Sequence, residues 1–230
     1  RMSDEEFHDP FLIPDMDKAV DRIEKAIEAR EKVVIYGDYD VDGVTSVSAL
    51  YLYLKNRGIL PGYYIPDRTE EGYGINNSAI ERFALEKVSL MITVDTGVTA
   101  VEEVEHARSL GIDTVITDHH ECRPELPGAC AVVNPRRQDS MYPFKELAGV
   151  GVVFKLLMAM EFKRGGKEHG YEYMSKLCNE YIDIAAMGTI ADVMPLVNEN
   201  RLIVKKGLSI MNNRPRSGLT SLLNAAGKKD

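Results

Sequence analysis

"KVVIYGDYDVDGVTS", residues 32–46, decides how this chain folds. Its first half, Val33–Tyr36, is a short apolar run rich in β-branched residues, closed by Gly37. A run without polar alternation reads as a strand buried on both faces. Its second half puts Asp38, Asp40 and Asp42 where that strand should end. "TSVSALYLYLKNRG", residues 45–58, then reads as a helix stopped by Gly58.

Upstream, Met16, Ala19, Val20, Ile23, Ala26, Ile27 and Arg30 recur at helical spacing and predict a first amphipathic helix. Downstream the alternation repeats. "GYYIPD" (62–67), "LMITVD" (90–95), "DTVITD" (113–118) and "ACAVVN" (129–134) read as strands. "NNSAIERFALEK" (76–87) and "TAVEEVEHARSLG" (99–111) read as helices. Strands alternating with helices predict an α/β fold, a parallel β-sheet flanked by helices, over about residues 31–135. From about residue 146 to 225 the pattern is mostly helical: "LAGVGVVFKLLMAM", "YEYMSKLCNEYIDIAAMGTI" and "RLIVKKGLSIMNN". We read both portions as one domain spanning residues 1–230.

The net charge of −8 argues against gripping nucleic acid by bulk positive charge, which needs clustered Lys and Arg. It is compatible with a local excess of carboxylate that holds cations. Cys122, Cys130 and Cys178 lack metal-like spacing and read as free thiols in a reducing compartment. The acidic N-terminus is not a signal peptide, and no apolar run reaches membrane-spanning length. No membrane role is expected, and the expected location is cytoplasmic.

Three strand-like runs end in aspartate: Asp38 and Asp40, with Asp42 just beyond, then Asp95, then Asp118 followed by His119 and His120. One such Asp is as often a helix cap as a functional group. Parallel strands, however, bring their carboxyl ends to one edge, where ligands gather. Carboxylates crowded there repel one another unless protons or cations compensate. Carboxylates with an imidazole suit Mn²⁺ or Mg²⁺ better than a thiolate zinc site. Asp192, in "GTIADVMPL", is a further candidate from a distant segment.

"GDYDVDGVTS", "VDTG", "TDHHE" with "VNP" downstream, and "GTIADVMPL" resemble, in order, the motifs of the DHH phosphoesterase superfamily. "LAGVGVVFKLL" and "ENRLIVKKGL" are similar to its RecJ-like branch of bacterial single-strand-specific exonucleases. The resemblance implies two divalent cations, Mn²⁺ or Mg²⁺. Asp42, Asp95, His119 and Asp192 would surround one; Asp40 and Asp95 would hold the other. Asp118 would orient its neighbours, and His120 would face the scissile phosphate. Where many relatives carry a histidine ligand this chain has Tyr36, so either that second cation binds weakly or Asp38 compensates. The implied activity is 5′-to-3′ exonuclease digestion of single-stranded DNA in recombination and repair. Single-strand-binding protein and a helicase are the expected partners, and a second substrate-binding domain of such proteins is expected to be absent from this chain.

Two other readings stand beside it. One is a phosphatase, phosphodiesterase or pyrophosphatase for small nucleotides in the same superfamily; the other is a silent homologue that binds single strands or scaffolds a complex. A receiver-like domain would leave "DHH" and Asp192 without a role. Arg136, Arg137, Lys205, Lys206, Arg214 and Arg216 are candidate phosphate contacts, weighed against solvated surface. The glycines of "AGVGVVF" open a helix whose N-terminus could face an anion, although close packing is the commoner reason for small residues there.

Overall fold

The strand that opens the alternation forms as β1 (Val33–Gly37), buried at every position. In the computed structural model, which describes residues 7–67, 74–165 and 170–227, it lies within a five-stranded parallel sheet. The others are β2 (Gly62–Tyr64), β3 (Leu90–Val94), β4 (Asp113–Thr117) and β5 (Ala131–Val133), in the order β2-β1-β3-β4-β5. The helices are α1 (Met16–Ala29), α2 (Val41–Asn56), α3 (Asn77–Leu85), α4 (Val101–Ser109), α5 (Gly149–Gly165), α6 (Gly170–Ala191), α7 (Asn198–Asn213) and α8 (Ser217–Ala225).

The period of two along β1 sorts its side chains between two cores. Val33 and Ile35 join α1, α2, α5 and α6 on one face. Val34 and Tyr36 join α3 and α4 on the other, with Ile80, Phe83, Val104 and Ala107. Both faces are covered, which is why β1, β3 and β4 read as apolar runs rather than alternating ones. β2, at the edge, is short and mostly exposed. α5 is buried along nearly its whole length, with α6 and α2 packed against it.

Several boundaries differ from the sequence reading, and two have a plain cause. α2 begins at Val41, not Thr45, because the Asp40 carboxylate accepts the Gly43 N–H at 2.9 Å and caps the helix. Asp42 therefore lies in the first helical turn rather than in a loop. β2 is cut to three residues, since as an edge strand it pairs only with β1. His8 and His106, which have no sequence partner and read as surface, are both half-buried, and His8 packs edge-on against Tyr142. His169, read the same way, lies outside the described residues.

Candidate metal centre

Register places the first groups. Gly37 pairs with Val94, and Val94 with Thr117, so β1, β3 and β4 end level with one another. The next residues are Asp38, Asp95 and Asp118. The strand order reverses direction between β1 and β3, and in open parallel sheets that switch point is where a crevice opens beyond the strand ends. Asp95 adopts φ 60°, in the left-handed region, and its N–H donates to the Thr117 carbonyl at 3.0 Å.

His119 follows β4 and points at the same place. Its Nε2 lies 3.1 Å from Asp95 Oδ1 and 3.8 Å from both Asp42 Oδ2 and Asp192 Oδ2. Asp42 comes from the first turn of α2 and Asp192 from the residue just past α6. Three overlapping groups have ligand-capable atoms within 4.8 Å of one another: Asp42 with His119 and Asp192, Asp38 with Asp40 and Asp95, and Asp95 with His119 and His120. Asp38, Asp40, Asp42, Asp95, His119, His120 and Asp192, the metal and catalytic candidates of the sequence, lie in this cluster, and Asp118 adjoins it through His120.

Asp118 is a hub. Its carboxylate accepts the N–H groups of Val98 (2.9 Å), His119 (2.7 Å) and His120 (3.0 Å), and it sits 2.7 Å from His120 Nδ1. Burial pushes its carboxyl up, but the His120 hydrogen bond and charge outweigh that and hold it below the usual carboxylate range. The same bond raises the His120 imidazole to about 9. The remaining carboxylates move the other way. Burial, then repulsion from Asp42 and Asp40, pushes the Asp95 carboxyl far up, and burial raises Asp42, Asp192 and Asp38.

The donor set fits a divalent cation. Asp95 Oδ1 is buried yet accepts no hydrogen bond, and His119 Nδ1 has no partner either. Buried carboxylate oxygens normally find donors; this one has His119 Nε2 3.1 Å away but no hydrogen bond. Oxygen donors with one nitrogen suit Mn²⁺ or Mg²⁺.

Two further contributors are the helix N-terminus weighed in "AGVGVVF" and a glycine, Gly188, to which the sequence reading gave no role. The N–H groups of Gly149 and Val150, at the start of α5, donate to Asp42 Oδ2 at 2.6 Å and Oδ1 at 2.9 Å. The anion faced by that helix N-terminus is the protein's own carboxylate. Packing also demands Gly149, because a Cβ there would lie 2.5 Å from Asp95 Oδ1. Gly188 is similar: its Cβ would meet Thr45 Oγ1 at 2.4 Å and Asp42 Oδ1 at 2.8 Å. Small residues at 149 and 188 are the signal in the sequence, but only the fold says what approaches them. Tyr36 does not face the carboxylates. It is fully buried between Tyr64 and Phe83, and its hydroxyl donates to the Gly74 carbonyl at 2.9 Å.

The arginines weighed as phosphate contacts all bond protein groups. Arg137 is held by Asp15, Asp139 and the Val132 carbonyl. Arg136 bridges Glu121 and Glu146. Arg214 and Arg216 tie the start of α8 to Asn179 and Asp183 of α6.

Comparison with known proteins identifies the family. The family model described as "DHH family, N-terminal domain" matches residues 32–189. The chain is 47% identical over 224 residues to the single-stranded-DNA-specific exonuclease RecJ of Bacillus subtilis (strain 168), covering 97% of this chain and 27% of that protein. It is 36% identical over 217 residues to the RecJ of Escherichia coli (strain K12), covering 93% of this chain and 38% of that one. The crystal structure of an exonuclease RecJ bound to manganese superposes with a TM-score of 0.81 at 33% identity, over 94% of this chain and 52% of that one. The chain therefore spans well under half the length of these two curated relatives.

Proposed function

The chain belongs to the DHH family, and from that premise we propose that it carries the metal centre of a phosphodiesterase acting on single-stranded DNA from a 5′ end. The observation that carries the reading is the buried, unsatisfied Asp95 carboxylate at the meeting point of Asp40, Asp42, His119 and Asp192. Asp42, Asp95, His119 and Asp192 would hold one divalent cation, and Asp38, Asp40 and Asp95 a second. Bound there, such cations lower the pKa of a coordinated water and neutralise charge on phosphoryl oxygens.

The chain's own residues supply orientation and protons. Asp118 fixes the His120 ring through Nδ1 and keeps it protonated near neutral pH. A protonated His120 can donate from Nε2 to a phosphate oxygen, with Asp118 compensating its charge. Gly149 and Val150 hold the Asp42 carboxylate in place by two N–H donors. Tyr36 plays no part in cation binding on this reading, and Asp38 takes the place beside Asp40. The manganese-bound relative supports Mn²⁺ as the first ion to test. Single-strand-binding protein and a helicase belong to the same proposal as partners.

Calorimetry with Mn²⁺ tests the centre, and digestion of end-labelled oligonucleotides tests the substrate. Expected are saturable Mn²⁺ binding that Asp95→Ala abolishes, and weak release of mononucleotides from single-stranded 5′ ends by the 230-residue chain. Equal Mn²⁺ binding by Asp95→Ala would sink the site. Hydrolysis confined to di- and trinucleotides would point to a small-nucleotide phosphodiesterase instead.

A further inference from the structure

"ENRLIVKKGL", residues 199–208, belongs to none of the groups above, yet its first two residues are buried as deeply as any in the molecule. Glu199 anchors the first turn of α7. It accepts from Lys155 Nζ at 2.9 Å, from the His8 N–H at 3.0 Å and from the Tyr142 hydroxyl. Asn200, next in the chain, is thereby fixed in position. Its Nδ2 donates to the Glu146 carbonyl at 2.5 Å and to the Pro195 carbonyl at 3.0 Å. Its Oδ1 is buried without a partner, so the amide is oriented by its two donors alone.

Those two carbonyls lie on opposite arms of the metal centre. Pro195 is in the loop that follows Asp192. Glu146 is in the loop that leads to Gly149, whose N–H holds Asp42. Backbone bonds from Val193 to Ile190 and from Met194 to Thr189 close the turn after Asp192, but Val193 within it sits at φ 56° and is 86% exposed, so no packing of its own side chain holds the arm. A β-branched residue in the left-handed region costs about 1–2 kcal/mol, so the local sequence does not favour this turn. A planar amide with two N–H groups in a fixed fork suits a bridge between two carbonyls; a hydroxyl has one proton to give.

We propose that Asn200 is a positioning residue of the metal centre: it sets the span between the Asp192 arm and the Asp42–Gly149 arm. The inference rests on the metal-centre reading above. Residues that orient metal ligands typically account for 10–100-fold in metal affinity.

The test compares Mn²⁺ affinity, by calorimetry on the 230-residue chain, with thermal stability. Asn200→Asp keeps the shape and removes the donors. Asn200→Ala removes them without adding charge and serves if the first variant does not fold. Ile23→Ala, a buried change in α1, is the control for stability loss alone. Expected is a 10–100-fold weaker Mn²⁺ affinity in the Asn200 variants, with affinity within about twofold in Ile23→Ala at equal or greater loss of Tm. Unchanged affinity in a folded Asn200 variant, or an equal loss in Ile23→Ala, would overturn the proposal. Failure of the unaltered chain to bind Mn²⁺ would overturn the metal-centre reading and this inference with it, and the unaltered chain alone tells that case apart.

Discussion

Asp95 concentrates the conflict that defines this centre. Its backbone is in the left-handed region, the residue is 1% exposed, and its Oδ1 accepts no hydrogen bond. Asn accepts the same backbone conformation at little cost, so Asp95→Asn should raise the Tm of the metal-free chain while removing Mn²⁺ binding. The rise should be about 2–4 °C for each kcal/mol of repulsion relieved. Thermal melts with and without Mn²⁺ read both effects, and a lower metal-free Tm would count against the electrostatic account. The pH dependence follows from the same groups. Asp38, Asp42, Asp95 and Asp192 all have folded pKa values above the ordinary 3.8. A carboxyl raised in this way contributes stability fully below 3.8 and loses it as pH climbs through its folded value. The metal-free chain should therefore lose Tm from about pH 4 upward, and Mn²⁺, which competes with those protons, should add more to Tm at about pH 8 than at about pH 6. A metal-induced shift that is flat with pH would contradict the raised carboxyls. At this scale the aspartates and His119 were legible in the sequence, because strand ends and the "DHH" text announce them. The hydrogen bonds from Gly149, Val150 and Asn200 were not, because they join residues far apart in sequence.

Among the elements, α5 and α6 matter to the centre through what they lack. Adding a Cβ at Gly149 or Gly188 would put carbon within 2.8 Å of an Asp95 or Asp42 carboxylate oxygen. Neither glycine has a backbone conformation reserved for glycine. Gly149→Ala and Gly188→Ala should therefore leave helicity by circular dichroism essentially unchanged. Both should weaken Mn²⁺ binding at least tenfold by displacing the carboxylates, in the range seen when ligand positioning is lost. Wild-type affinity in either variant would mean that the carboxylates have room to move. The strand and helix pattern itself was readable from periodicity and glycine stops. The start of α2 was not read correctly, since Asp40 serves both as helix cap and as a member of the cluster, and a cap is invisible until its N–H partner is placed.

At the scale of the whole molecule, a second polar cluster is buried where α5 meets the start of α7. Lys155 and Glu199 are an ion pair with no exposed side-chain surface, with Tyr142 and the His8 carbonyl completing it. Lys155→Met leaves Glu199 buried without its cation, and such a loss costs about 3–5 kcal/mol. Urea unfolding should register it; a change below about 1 kcal/mol would mean that the pair is not ionised in the core. No helix among the described residues is long and apolar enough to cross a membrane. By itself the sequence determined the parallel α/β architecture, the carboxylate-rich strand ends and the family, because burial on both faces and the spacing of short motifs are written locally. Only the tertiary structure decided that β1 and β3 flank the switch point and that Tyr36 faces away from the cluster. It alone decided that two glycines leave room for Asp42 and Asp95, and that Asn200 bridges the Glu146 and Pro195 carbonyls. Those facts depend on strand order, strand register and contacts between distant segments, which are set when the whole chain packs and by no stretch of it alone.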